Sequence, residues 1–229
     1  MNYGKTAISY ELFRTNRKSL EIAVNPDGSV VVKAPSSASL EAIEAKIKNR
    51  ARWIKRQITW FSQFDPRTPA RRYVGGESHL YLGRSYRLKI VPSANNRVLL
   101  KDGFFYIECK SRDPARIKSL MDNWYRNKAN DYMTEAFNEC WKSFKISRKK
   151  KPVLKLQKLE KRWGSLSSKG QLTLNLRLIQ APRECIEYVI THELCHLIHR
   201  NHDSDFYELL DRTMPDWIKR KHKLEMSLA

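Results

Sequence analysis

Long apolar runs are missing from this 229-residue chain; its longest strictly apolar stretches, such as Val30 to Val32 and Tyr188 to Ile190, are brief. A membrane-spanning helix needs ~20 such residues, so none is expected and no membrane partner follows. No Cys-x-x-Cys pair occurs either. The four cysteines (Cys109, Cys140, Cys185 and Cys195) are scattered, which fits free thiols in a reducing compartment rather than a disulfide framework. The opening Met1-Asn2-Tyr3-Gly4-Lys5 leads into polar residues without the apolar core of a secretory signal, so the expected location is cytoplasmic. Internal repeats and low-complexity segments are also lacking.

Acidic residues are the scarce charge. Against 44 Lys and Arg stand only 24 Asp and Glu, a formal net charge of +20. Such a field attracts polyanions at long range with marked salt dependence, which makes nucleic acid a candidate partner; the plainer reading is a soluble surface that is merely basic. What is present is core material: 41% of residues are hydrophobic and 10% aromatic, enough for one or two packed domains of ~100–200 residues each.

Ser9 to Lys33 reads as two extended segments around the turn cluster Asn25-Pro26-Asp27-Gly28, a hairpin. Ser39 can cap a helix to about Phe64, with Ile43, Ile47, Ile54, Ile58 and Phe61 at helical spacing and a basic exposed face. Pro66 and Pro69 end it. Residues 72–109 return to strand patterning, and Asp113-Pro114 opens a long helix to about Phe144. The expected division is therefore a β-rich unit with one basic helix over 1–112 and a second domain over 113–229. In the second, 153–160 and the strictly alternating 171–178 read as half-buried strands, Ala181-Pro182 starts a helix, and Pro215 splits the remainder into two short helices.

Four of the six histidines fall in the window His192-Glu193-Leu194-Cys195-His196-Leu197-Ile198-His199-Arg200-Asn201-His202. The chain's own His and Glu frequencies predict only roughly 0.01 chance occurrences of His-Glu-x-x-His, so the pattern needs a physical reason. Residues four apart on a helix share a face, and His192 and His196 can converge there on one Zn²⁺. Glu193, one step from the first of them, is placed to take a proton from an attacking water as general base. For the third ligand two residues compete. His199 stays on the same face if the helix continues, but lies about 10.5 Å along the axis from His192. His202 is preferred, returning toward the metal if the helix ends near Arg200-Asn201 with Asn201 in a left-handed conformation.

Arg162-Trp163-Gly164-Ser165, the strand ending Leu174-Asn175-Leu176-Arg177-Leu178, and the histidine window with Asn201-His202 and Phe206 resemble the YgjP-like metallopeptidases, relatives of the SprT-like zinc proteases. A weaker likeness extends to Leu80-Tyr81-Leu82-Gly83-Arg84-Ser85-Tyr86. The resemblance implies zinc on His192, His196 and His202, Glu193 as general base, and an α+β fold: a β-rich N-terminal unit followed by a zincin-like helix–sheet–helix core. Two positions depart from the family's pattern. Leu166 stands where Cys is common, which weakens any redox or metal role for the Trp-Gly-Ser motif, and Asp203 stands where Ser is common, adding a carboxylate beside His202.

Other features carry two readings each. Trp163 and Gly164 can shape an active-site floor or serve packing and turn chemistry. Residues 171–176 can bind an extended substrate as an edge strand, or be an ordinary interior strand. The segments 142–162 (ten basic residues, one acid) and 46–72 (nine basic, one acid, with Trp53, Trp60 and Phe61) suit nucleic-acid contact or a solvated face over core aromatics. His79, His222 and Cys195 receive no role; Arg162 and Tyr207 are candidates for stabilising an oxyanion. The expected function is a zinc-dependent hydrolase, a zincin-type metallopeptidase acting on a protein or peptide. The alternatives are a zinc-dependent hydrolase of nucleotides or other phosphates, and a basic nucleic-acid-binding module with a structural metal site.

Overall fold

A computed structural model describes residues 2–3, 6–25, 27–62, 71–144, 149–160 and 162–228. Pro26, Phe64, Pro66, Pro69 and Arg148, which entered the sequence reading as turn, helix-end or basic-run signals, lie outside the described residues. The fold is mixed α+β, and its packing divides the chain into two compact units, 1–68 and 69–229.

In the first unit, β1 (Asn2–Tyr3) pairs with β2 (Thr6–Ala7). Strands β3 (Glu11–Thr15), β4 (Glu21–Val24) and β5 (Val30–Pro35) form a sheet ordered β3-β5-β4. The hairpin expected around residues 25–28 is the β4–β5 connection, closed by Asn25 N–H donating to the Ser29 carbonyl at 2.8 Å, with Gly28 at φ 81°. β3 adds a parallel edge to β5, which the hairpin reading did not anticipate. β5 alternates Val30, Val32 and Ala34 inward, against Ile43, Ile47, Ala51 and Ile54 of α1 (Leu40–Ser62). The Ser39 hydroxyl caps α1 by accepting the Ala42 N–H at 3.2 Å.

The second unit has a four-stranded sheet ordered β6-β7-β9-β8, from β6 (Ser78–Tyr81), β7 (Arg84–Pro92), β8 (Arg97–Lys101) and β9 (Phe104–Cys109). Helix α2 (Pro114–Ser143), about 45 Å long at 1.5 Å per residue, starts where Asp113 accepts the N–H groups of Ala115 and Arg116. A three-stranded sheet follows, ordered β10-β12-β11, from β10 (Val153–Gln157), β11 (Gly164–Leu166) and β12 (Gln171–Asn175). Then come α3 (Arg183–Cys195), α4 (Ser204–Thr213) and α5 (Trp217–Leu228), the last two divided at Pro215 as expected.

The packing break lies after residue 68, not after 112. The physical reason is α2, which packs against β8 and β9 on one side and β10 and α3 on the other, so that Leu88, Phe105 and Ile107 share one core with Leu172, Leu174, Ile186 and Ile190. Two further expectations change. The strand expected over 171–178 stops at Asn175, and Leu176–Gln180 is a 3-10 turn that buries Leu178 and Ile179. β12 is also the central strand of its sheet, buried on both faces, so it is no edge for a substrate; β11 is an edge.

The Leu80–Tyr86 motif has a mechanical role. Leu82 (φ 48°) and Gly83 (φ 78°) form the two-residue turn of the β6–β7 hairpin, with both residues in the left-handed conformation that type I′ turns require. Leucine is a costly choice there, and two hydrogen bonds offset it: the Leu82 N–H reaches the Ile179 carbonyl and the Gly83 N–H the Gln180 carbonyl, each at 3.0 Å. The turn thereby grips the segment that launches α3. A Cβ on Gly83 would lie 2.6 Å from Pro182 Cγ and 3.1 Å from its Cα. Gly103 has the same φ of 78° with nothing within 4 Å. Gly103→Ala should therefore cost ~1 kcal/mol of backbone strain, and Gly83→Ala a further ~1–3 kcal/mol, in urea unfolding of the two variants. Equal losses would show that the Pro182 contact carries no energy.

Candidate metal centre

α3 sinks Ile186, Val189, Ile190 and Leu194 into the core and keeps His192 only part-buried. The helix ends at Cys195, five residues before the Arg200-Asn201 end expected from sequence, and tightens into short turns. The N–H groups of His196, Leu197 and Ile198 bond back to the carbonyls of Glu193, Leu194 and Cys195 at 3.0–3.2 Å. Asn201 is absent from the non-glycine residues with positive φ (Tyr73, Leu82 and Asp102), so the expected left-handed reversal does not occur there. Asp203 closes the connection: its carboxylate accepts the Phe206 N–H at 3.0 Å, starts α4, and leaves His202 at the lip of the new helix.

This route brings His192, His196 and His202 together. One ring nitrogen from each lies within 4.8 Å of the other two, and His192 Nε2 is 3.0 Å from His202 Nε2. His199 contributes its backbone: the carbonyl lies 2.9 Å from His196 Nδ1, so that nitrogen is the donor and Nε2 is left with its lone pair for the cluster. His192 Nδ1 is buried with no partner among the described residues. Phe206, fully buried, lies under all three rings at centroid distances of 5.0, 4.7 and 4.7 Å.

Burial, reinforced by the neighbouring imidazoles, pushes His192 down to about 4, and His202 is lowered chiefly by the same desolvation. Neutral rings with converging lone pairs are the state that a cation requires, and three imidazoles with an open side suit a catalytic divalent metal. The residues present thus fit a metal.

Glu193 is 7% exposed, and burial raises its carboxyl to about 7 against the opposing pull of the Leu166 backbone N–H and the Arg162 charge. Across from it lies Gly164. A Cβ there would come within 2.9 Å of Glu193 Cγ, 3.0 Å of its Oε1 and 3.0 Å of Val189 Cγ1, so this position must be glycine for β11 to approach α3. The Trp163-Gly164 pair is therefore divided in role. Gly164 shapes the site, while the Trp163 carbonyl accepts the Asn175 N–H at 2.8 Å and its ring lies beside Arg177.

Asn175, given no role in the sequence reading, fixes this approach. Only 2% exposed, it donates through its side-chain amide to the carbonyls of Leu159 and Arg162 at 2.8 and 3.0 Å, clamping the chain that delivers Trp163 and Gly164. Its place in the polar phase of the alternation, with Gln171, Thr173 and Arg177, gave no sign of burial; the strand is covered on both faces.

A cleft of about 630 Å³ runs between β11 with its following residues, to Ser168, and the α3 face carrying His192, Glu193 and His196. Arg162, Arg200 and Tyr188 also line it. Trp163, Ser165 and Ser167 are the β11-side residues that hydrogen-bond to β12, so the peptide groups of Gly164 and Leu166 alternate toward the free edge. Tyr207 stacks on Trp217 at 5.6 Å, and Trp217 on Tyr188 at 6.3 Å, walling the histidine side.

The remaining candidates are ordinary. His79 is buried and bonded to Glu77 at 2.9 Å, His222 is exposed, and Cys195 is fully buried with its thiol pushed up to about 12. No helix is long and apolar enough to cross a membrane among the described residues.

A family model described as "YgjP-like, metallopeptidase domain" matches residues 18–227. No curated protein matches the chain. Among solved structures, the metallopeptidase zymogen jannalysin of Methanocaldococcus jannaschii aligns at 20% identity and a TM-score of 0.37, over 42% of this chain and 90% of that one. The metallopeptidase zymogen abylysin of Pyrococcus abyssi aligns at 17% and 0.38, over 42% and 94%.

The geometry yields a direct check by elemental mass spectrometry. The purified chain should carry about one divalent cation, His202→Ala should lose it, and His199→Ala, which keeps the backbone carbonyl, should retain it. Loss in His199→Ala with retention in His202→Ala would reverse the choice of third ligand.

Proposed function

This chain belongs to the YgjP-like metallopeptidase family and is a metal-dependent peptidase, and from that premise we propose that His192, His196 and His202 hold zinc while Glu193 is the general base. The observation that carries the reading is the convergence of three imidazole nitrogens beside one buried carboxylate, in a cleft flanked by an open strand edge. Three imidazole donors with an open fourth position match the donor set of catalytic zinc sites. When bound, zinc supplies Lewis-acid activation of water and polarisation of the scissile carbonyl.

The protein's own groups do the rest. A peptide substrate extends along the free edge of β11, bonding to the outward peptide groups of Gly164 and to the Leu166 carbonyl, the Leu166 N–H being held by Glu193. Glu193 takes a proton from the attacking water and passes it to the amine as the C–N bond breaks, so one water is consumed and an acid and an amine are released. Its desolvated position, next to Gly164 and Val189, holds the carboxylate in one orientation for both transfers. The Tyr188–Trp217–Tyr207 stack supports the ring of His202, which lies 6.2 Å from Tyr207. The proposed location is the cytoplasm, in keeping with four free cysteines.

A second reading, hydrolysis of a phosphate ester, has one observation in its favour: Arg162 and Arg200 on the cleft wall. Peptide libraries run beside nucleotide panels separate the two. Turnover of nucleotides alone would overturn the peptide-substrate reading.

Glu193→Gln should keep its zinc and lose ~10²–10⁴-fold in turnover. Gly164→Ala should also keep zinc and lose activity, because the added methyl displaces the Glu193 carboxylate rather than the histidines. Full activity of Glu193→Gln at equal zinc content would sink the mechanism.

A further inference from the structure

A second groove, of about 540 Å³, opens in the N-terminal unit between β4 and α1. Its lining is Leu20, Ile22, Lys46, Asn49, Arg50 and Trp53. We propose that this groove binds single-stranded nucleic acid, with one base on the Trp53 indole between the apolar walls of Leu20 and Ile22, and the flanking phosphates on Lys46 and Arg50.

Helix geometry makes the groove a single surface. Lys46, Asn49, Arg50 and Trp53 are spaced i, i+3, i+4 and i+7, one stripe about 10.5 Å long. The core face of α1 is a different one, formed by Ile43, Ile47, Ala51 and Ile54, each fully buried. Trp53 packs against the core with part of its surface and lines the groove with the rest, so a portion of the side chain remains open to a ligand. The volume lies within the range of ~300–1,000 Å³ typical of small-molecule sites, room for a nucleotide unit.

The charge is uncompensated. Among the described residues, the side chains of Lys46, Asn49 and Arg50 form no ion pair or hydrogen bond, whereas Arg17 on the β3–β4 connection is paired with Glu21 at 2.7 Å. Residues 46–62 contain six Lys or Arg and no acid. Arg56, seven residues beyond Asn49 and exposed, continues the stripe along the same helix.

The composition of the lining chooses among polyanions. An acidic polypeptide would use the cations but leave the indole and the two aliphatic walls unused. A duplex keeps its bases stacked inside and presents no free π-face. An unstacked base satisfies all of these groups at once, and its Watson–Crick edge can meet the Asn49 amide.

The test is fluorescence anisotropy of the full chain with a labelled 20-nucleotide single strand, titrated at ~50 and ~200 mM salt. The expected result is affinity that falls steeply with salt, a loss of ~5–100-fold in Trp53→Ala with a smaller loss in Trp53→Phe, and a salt slope reduced by ~1.4 in Lys46→Ala/Arg50→Ala. Duplex of equal length should bind more weakly and ignore Trp53→Ala. Circular dichroism and metal content verify folding, and because Lys46 and Arg50 are exposed, the double variant and Trp53→Phe decide the matter even if Trp53→Ala fails to fold. Wild-type affinity in the groove variants, absence of binding, equal displacement by polyglutamate, or Trp53-dependent binding of duplex would each overturn the proposal.

Discussion

The site depends on how closely a strand can approach a helix. β11 must come near enough to α3 to bury Glu193, and only a residue without a side chain permits it, because a Cβ at position 164 would lie 2.9 Å from Glu193 Cγ and 3.0 Å from Val189 Cγ1. That approach has two consequences. It desolvates the carboxylate, raising it to about 7, and it turns the free edge of β11 toward the cleft. Asn175 holds the incoming chain and the Leu82-Gly83 turn holds the start of α3, so strand and helix are each fixed from outside the cleft.

The histidines are gathered by a second constraint, the short span between α3 and α4. His196 is still within hydrogen-bonding reach of the last helical turn, and His202 sits beside the cap of the next helix. The turn between them does part of the orienting work, since the carbonyl of His199 receives His196 Nδ1. Asp203 takes the capping role with its carboxylate, which accounts for an acid beside His202 without any call on it as a ligand. Phe206, in the first turn of α4, supplies a buried floor beneath all three rings.

Much of this was legible in the sequence, for reasons that are local. The His-Glu-x-x-His spacing, the Asp113-Pro114 start of α2, the Ser39 cap and the isoleucine stripe of α1 are each determined by residues within one or two helical turns. What escaped is non-local or rests on a coincidence of period. The alternation in 171–178 runs past Asn175 because a 3-10 turn can also bury Leu178 and Ile179, so the pattern alone does not mark the strand end. Periodicity likewise cannot count neighbours, and β12 proved central. The domain division after 112 failed because α2 shares its apolar surface between two sheets, a fact of packing with no signature in composition. The closeness of Gly164 to Glu193 spans residues 29 apart and appears only in three dimensions.

The charge of +20 is also not one uniform field. Around α3, cations are tied down: Arg183 pairs with Glu139 and Glu187, Arg220 with Glu187 and Asp216, and Lys223 with Glu184, linking α2, α3 and α5. Exposed pairs of this kind add ~0–1 kcal/mol each, so their main effect is on the potential, which they neutralise next to the metal helix. α1 has acids only in its first two turns, Glu41 and Glu44, and beyond them no compensating charge. The basic field is therefore uneven: α1 beyond Glu44 is one acid-free stretch, and the acid-poor segment 142–162 of the second unit is another, so a polyanion meets local basic patches rather than a uniform surface.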